Sequence, residues 1–201
     1  VVIPKLLVGR VSHFGLFLTE DEENELLLPT LYVSLGNKFG VVIEVFVYHD
    51  SEDRLVATTG RPYVTVGEVA SLRVVDKTVH GAFLDWGLTA KDIFLPNRNM
   101  IGRVEGERSY VVYVYRDNIT GRAVATMALK SFISNNELSL ERGQDVDIII
   151  VTQTPTGYRA VVDNRHWGVL YSNQLFAPVA VGDRLKAYVR KITEDNRVDL
   201  S

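Results

Sequence analysis

Catalysis requires nucleophiles, proton carriers or metal ligands at short, defined spacings, and this sequence offers few. Its four histidines, His13, His49, His80 and His166, are widely separated, and none forms a metal-ligand pair at short spacing. There are no cysteines, which excludes disulfides, zinc–thiolate sites and thiol nucleophiles and fits a reducing compartment. No G-x-S-x-G elbow, P-loop or dinucleotide fingerprint occurs. The acidic run Glu20–Glu25 lacks the glycine and spacing of a calcium loop and reads as a solvated hairpin loop. What recurs is suited to binding. Phe14-Gly15-Leu16-Phe17 and His80-Gly81-Ala82-Phe83 place rings on both sides of a glycine, and Arg54, Arg122 and Arg197 each follow a long β-rich run. Rings stack and guanidinium groups pair with anions. The expectation is a binding protein and not an enzyme, with no cofactor, no metal and no small-molecule substrate.

The elements that hold these residues come in three copies. Gly81 is followed by Gly106 and Gly157 by Gly182, 25 residues on in each case, and Gly67 and Gly143 lie 14 residues before each pair. The first copy has Gly15 and Gly36, 21 residues apart. Such repetition outranks any single motif as evidence of architecture. Each copy reads as a strand, a turn into a second strand, a short third strand, a long fourth and a return: Gly40–His49 is the long strand of the first copy and Ser109–Arg116 that of the second. Val112 and Val114 alternate there with Tyr113 and Tyr115, so valines face inward and tyrosines cover the outside.

Five short strands in this order predict an all-β fold of three tandem five-stranded Greek-key OB barrels, an up-and-down barrel or a sandwich being the alternative. The expected domains are 1–62, 63–127 and 143–201, with a helical linker over 128–142. Met127–Ser134 is the only segment that predicts a helix, and Asn135-Asn136 ends it. Trp86 and Trp167, each before a glycine, are expected to plug a core or cover a rim.

Composition narrows the partners. No run approaches the ~18 apolar residues of a membrane-spanning helix, and no signal peptide is visible; a cytoplasmic protein is expected. Net charge is −3. Residues 1–62 carry five basic and nine acidic groups, residues 63–127 eight and seven, and residues 128–201 nine of each. No segment has the basic balance of a duplex-DNA binder.

The pattern of a strand, Phe-Gly-x-Phe, a short strand, Val-Gly, a long strand and an arginine before the last strand resembles the S-one type of OB barrel, an RNA-binding module named after a ribosomal protein. The resemblance is best in Phe14-Gly15-Leu16-Phe17, in Gly81-Ala82-Phe83-Leu84-Asp85, and in Val181-Gly182-Asp183 with Arg197-Val198-Asp199-Leu200-Ser201. The arrangement as a whole is similar to the conserved virulence factor B family of bacterial RNA-binding proteins. Asn164–Tyr171, Lys191–Asp199 and the pairs Leu28-Pro29 and Leu95-Pro96 carry that likeness. Members of that family have three such barrels followed by a winged helix, which these residues do not contain, so the chain reads as a truncated form.

The resemblance implies stacking of single-stranded RNA bases on Phe14 and Phe17 in the first copy and on His80 and Phe83 in the second. It places Arg54, Arg122 and Arg197 beside the bound strand, with Asp50 and Asp117 orienting the first two. The module's usual histidine on the short strand becomes Leu28, Leu95 and Tyr171. The third copy also replaces the two phenylalanines by Thr156 and Arg159, with Tyr158 shifted towards the core. Its candidates are Arg159, Tyr171, Arg190 and Arg197, or the copy is mainly structural. The rival reading from another class is a scaffold module that docks a peptide, or a ribosomal or polymerase partner, on the same aromatic face.

Overall fold

The computed structural model describes residues 4–19, 25–34, 36–50, 52, 54–89 and 91–201. The expected loop over Glu20–Glu25 lies outside them except for Glu25, as do Ser51 and Asp53 of the following turn. The described residues form three antiparallel-rich sheets and contain no α-helix.

The first sheet comprises β1 (Lys5–Ser12), β2 (Gly15–Thr19), β3 (Glu25–Pro29), β4 (Val42–Glu44), β5 (Phe46–His49) and β6 (Leu55–Thr58). The second is a closed barrel of β7 (Val69–Lys77), β8 (Gly81–Leu88), β9 (Lys91–Pro96), β10 (Ser109–Arg116) and β11 (Ala123–Thr126). The third is a closed barrel of β12 (Asp145–Thr154), β13 (Gly157–Val162), β14 (His166–Tyr171), β15 (Arg184–Ile192) and β16 (Val198–Leu200). In each, the short third strand pairs in parallel with the last, as in Leu27↔Val56, Phe94↔Val124 and Val169↔Asp199. That crossover makes the Greek key and rules out an up-and-down barrel.

The first sheet differs in one respect. Its expected long strand is broken at Val45, and the halves β4 and β5 form the two edges of a six-stranded sheet. One half pairs with β1 and the other with β6, so an open barrel replaces the closed one.

Alternation sets the cores. Leu6, Val8, Leu16, Leu18, Leu28, Ile43 and Val45 fill the first. Val146, Ile148, Ile150, Val162, Leu170, Val189, Val198 and Leu200 fill the third. The first strand of each copy then carries a bulge, between Val8 and Arg10, Val74 and Asp76, and Ile150 and Thr152. The extra residue reverses the alternation. Val8, Val74 and Ile150 point inward, while Arg10, Asp76 and Thr152 come to lie opposite Phe17, Phe83 and Arg159 on the outer face.

The glycine opening the second strand is dictated by close approach. A Cβ on Gly15, Gly81 or Gly157 would fall deep inside the carbonyl oxygen of Leu28, Leu95 or Leu170.

The chain packs as two compact units, one of residues up to Tyr63 with Trp86–Asp92, the other of Val64–Asp85 with Ile93–Ser201. In the first, Trp86 is buried and meets Phe46 edge-on at 5.7 Å. In the second, Val69, Leu129, Ile133, Ile149 and Val161 form an apolar seam with Trp167 packed against it.

The linker helix is corrected. Only a 3-10 turn forms, at Leu129–Ser131. The backbone and side chains that follow bond elsewhere: Ser134 N–H donates to Arg165 O at 3.0 Å, and Asn135 Nδ2 donates to Trp167 O at 2.9 Å and to Asn196 O at 2.8 Å. Asn135 Oδ1 accepts from Trp167 N–H at 2.6 Å. These tertiary partners outcompete a local helix, which at eight residues is marginal by itself.

Candidate nucleic-acid interface

Two hairpin tips are built alike. Ser12 Oγ accepts from Phe14 N–H at 3.2 Å and donates to Gly15 O at 3.0 Å. Thr78 Oγ1 accepts from His80 N–H at 3.2 Å and donates to Gly81 O at 3.3 Å. These turns hold Phe14 and His80 out in solvent, Phe14 with 65% of its surface exposed. Its ring centroid lies 3.8 Å from that of His13.

Phe17 and Phe83 point outward from β2 and β8 but have different neighbours. The Arg10 guanidinium stands 3.7 Å over the Phe17 ring and is itself forked onto Glu25, at 2.7 and 3.3 Å. That hydrogen-bonded pair raises the Arg10 pKa and lowers that of Glu25. Phe83 has an aromatic neighbour instead, Phe94, at 5.1 Å and 43°. Ile93 and Leu95 are buried on either side of Phe94, so strand alternation turns its ring outward beside Phe83. The two half-buried rings form an outward hydrophobic platform on β8 and β9.

The arginines sit at equivalent positions but are engaged differently. Arg54 donates from Nε and Nη2 to one oxygen of Asp50, at 2.9 and 2.8 Å, and pairs with Glu52 at 2.8 Å. The expected Asp50 partnership therefore forms, although both donors converge on a single oxygen. Asp117 holds its own turn through Ile119 N–H at 3.0 Å and Thr120 N–H at 2.9 Å, and accepts from Arg98 at 3.1 Å. Those backbone donors, with Arg98, keep its carboxyl below the usual range. Arg122 is half-buried. Arg197 is exposed and reaches Asp195 at 3.4 Å.

In the third barrel the Arg159 guanidinium carbon stands over Trp167, 3.8 Å from the ring centroid. Burial lowers its pKa. Trp167 Nε1 donates to Ile133 O at 2.9 Å, which fixes the ring against the seam. Tyr158 packs against the barrel core, as the one-residue shift predicts.

Tyr171 requires a correction. Gly157↔Tyr171 matches Gly15↔Pro29, so Tyr171 corresponds to Pro29 and Pro96, while Leu170 corresponds to Leu28 and Leu95. Its hydroxyl donates to Asp199 at 3.3 Å.

The structure thus pairs Phe83 with Phe94 and Tyr171 with Asp199, and leaves Phe14 and His80 at separate tips. Sequence reasoning missed Phe94, Arg10 and the use of Trp167 as the platform for Arg159. Phe94 carried a signal, as an aromatic between two core positions of a short strand. Arg10 carried none, because the bulge that turns it outward is invisible in the sequence. Among the described residues, no three His, Asp or Glu side chains are grouped to hold a metal ion. No helix there is long and apolar enough to cross a membrane.

Comparison with known proteins agrees with this geometry. The family model described as S1 domain matches residues 2–60 and 66–128, more than half of the chain, and the chain belongs to that family. Membership supports a role in nucleic-acid binding. The Bacillus subtilis (strain 168) protein YitL is 27% identical over 206 residues, covering 98% of this chain and 67% of YitL. Among solved structures, a multidomain protein with nucleic acid binding domains from Streptococcus pneumoniae TIGR4 matches with a TM-score of 0.54 at 17% identity. That match covers 98% of this chain and 72% of the other and is a likeness of fold.

Proposed function

We propose that this chain is a non-catalytic binder of single-stranded RNA, acting in a bacterial cytoplasm as a regulator of gene expression of the conserved virulence factor B type. The outward pair Phe83–Phe94, with His80 at the adjoining tip, carries the reading. Base–aromatic stacking contributes about 1–3 kcal/mol per base and tolerates any sequence. Phe14 and Phe17 contribute in the first copy, Arg122 in the second, and Tyr171 and Arg197 in the third, while Arg54 and Arg159, already engaged by Asp50 and by Trp167, add little. The domains are 1–62, 63–127 and 143–201. The bacterial origin of YitL and of the pneumococcal protein, whose nucleic-acid-binding domains share this fold, supports the proposal.

The test is fluorescence anisotropy with labelled single-stranded RNA, using duplex DNA as competitor. Saturable binding that Phe83→Ala weakens by roughly 5- to 150-fold, with a shallow salt slope, is expected. Absence of binding at low salt sinks the reading. A second reading, docking of a protein partner, is favoured for the first copy by the exposed pair Leu7↔Val42 across β1 and β4.

A further inference from the structure

One outward position on the long strand is aromatic in all three copies. Phe46 pairs with Thr58 and Tyr113 with Thr126. Tyr188 exchanges backbone hydrogen bonds with Ser201 at 2.9 and 3.1 Å, which puts it in the same register. In the first two copies another ring covers the site. Trp86 meets Phe46 edge-on, and Phe132 stacks on Tyr113 with centroids 4.4 Å apart and planes 16° apart. Tyr188 has 56% of its surface exposed.

The neighbours along the strand differ as well. Val111 and Tyr115 flank Tyr113 two residues away on its outer face, which suits burial under protein. Lys186 and Arg190 flank Tyr188, each displaced by about 7 Å. Lys186 is held by Asp147 at 2.7 Å. Arg190 sits in the bulge between Val189 and Lys191; Arg190 and Lys191 are both exposed, and neither of these two forms an ion pair with the described residues. A protein cap would strip water from these charges, whereas a nucleotide would stack its base on the ring and bring its phosphate to them.

We infer that Tyr188, with Arg190 and Lys191, is a second nucleic-acid contact of the third barrel, on β15 instead of the β13–β14 face where Arg159 is consumed by Trp167. The ligand is a single-stranded nucleic acid: Tyr188 takes a base, and Arg190 and Lys191 take the backbone. This inference rests on the single-strand reading above.

The experiment is anisotropy with a fluorescein-labelled oligouridine of about 16 nucleotides, on the full chain and on Tyr188→Ala, Tyr188→Phe and Arg190→Gln, each checked for cooperative unfolding. Tyr188→Ala is expected to weaken binding roughly 5- to 150-fold, with Tyr188→Phe near wild type. Arg190→Gln is expected to lower the salt slope by about one. A Tyr188→Trp reporter should be quenched on addition of the oligouridine, a readout that does not depend on an alanine variant folding. If wild type binds while Tyr188→Ala and Arg190→Gln bind equally well and the reporter stays silent, this inference is overturned and the general reading stands. If wild type does not bind, both fall. Self-association by sedimentation that Tyr188→Ala abolishes, with RNA affinity unchanged, would make this face a contact between copies and overturn the inference.

Discussion

The second and third barrels share strand order, register and bulge, yet their corresponding outer faces differ. On β8 and β9, Phe83 and Phe94 touch each other. On β13 and β14, the residue in the place of Phe83 is Arg159, laid over a tryptophan that is itself bonded to Ile133. The first face has rings to offer a ligand. The second has spent its ring and its cation on each other, and Asn135 and His166 tie the same strand to the linker. A shared fold therefore fixes where a site can be, and the side chains packed on it decide whether it is open.

This contrast is sharpened first by what the two barrels have in common. Gly81→Ala and Gly157→Ala should each destabilise by more than about 3 kcal/mol, because a backbone carbonyl occupies the space the new methyl needs. Chemical denaturation measures both, and a mild effect in one barrel would show that the close approach is not shared.

Trp167→Ala should come next, lowering stability by about 3–5 kcal/mol. Phe83→Ala should instead act on RNA affinity, by about 1–3 kcal/mol in anisotropy titrations. If Trp167→Ala impaired binding more than Phe83→Ala did in a still-folded chain, the contrast between the faces would be reversed.

Asn135→Ala removes three hydrogen bonds that tie the linker to the third barrel, an expected loss of about 1–3 kcal/mol seen as a lower denaturation midpoint. Asp117→Asn should have a smaller, pH-dependent effect. The folded-state carboxyl titrates below its unfolded value, so its contribution is full above the ordinary aspartate range and is lost as pH falls through the lowered value. The difference between Asp117→Asn and wild type should shrink between neutral and acid pH. Smallest of all, Arg54→Ala should barely change RNA affinity, since that guanidinium already faces Asp50 and Glu52.

Much of this was legible in the residues. Alternation of apolar groups gave the strands, repeated glycines gave three copies, and Phe-Gly-x-Phe marked the hairpin that presents Phe17. The linker helix failed because Ser134 and Asn135 find better partners in the third barrel than along their own segment. Tyr171 was placed one position off because short apolar strands carry no internal register mark, and only the pairing with Gly157 supplies it. Arg10 stayed hidden because a bulge resets which side chains face out.

By itself the sequence determined the β content, the inward valines and leucines, the glycines at close approach and the absence of thiol chemistry, all of which depend on residue type and local period. Only the tertiary structure decided which rings remain available: Phe46 and Tyr113 are covered, Tyr188 is bare, and Trp167 is occupied. The period of a strand tells a side chain whether it points in or out. What meets it outside comes from segments distant in the sequence, and packing alone brings them there.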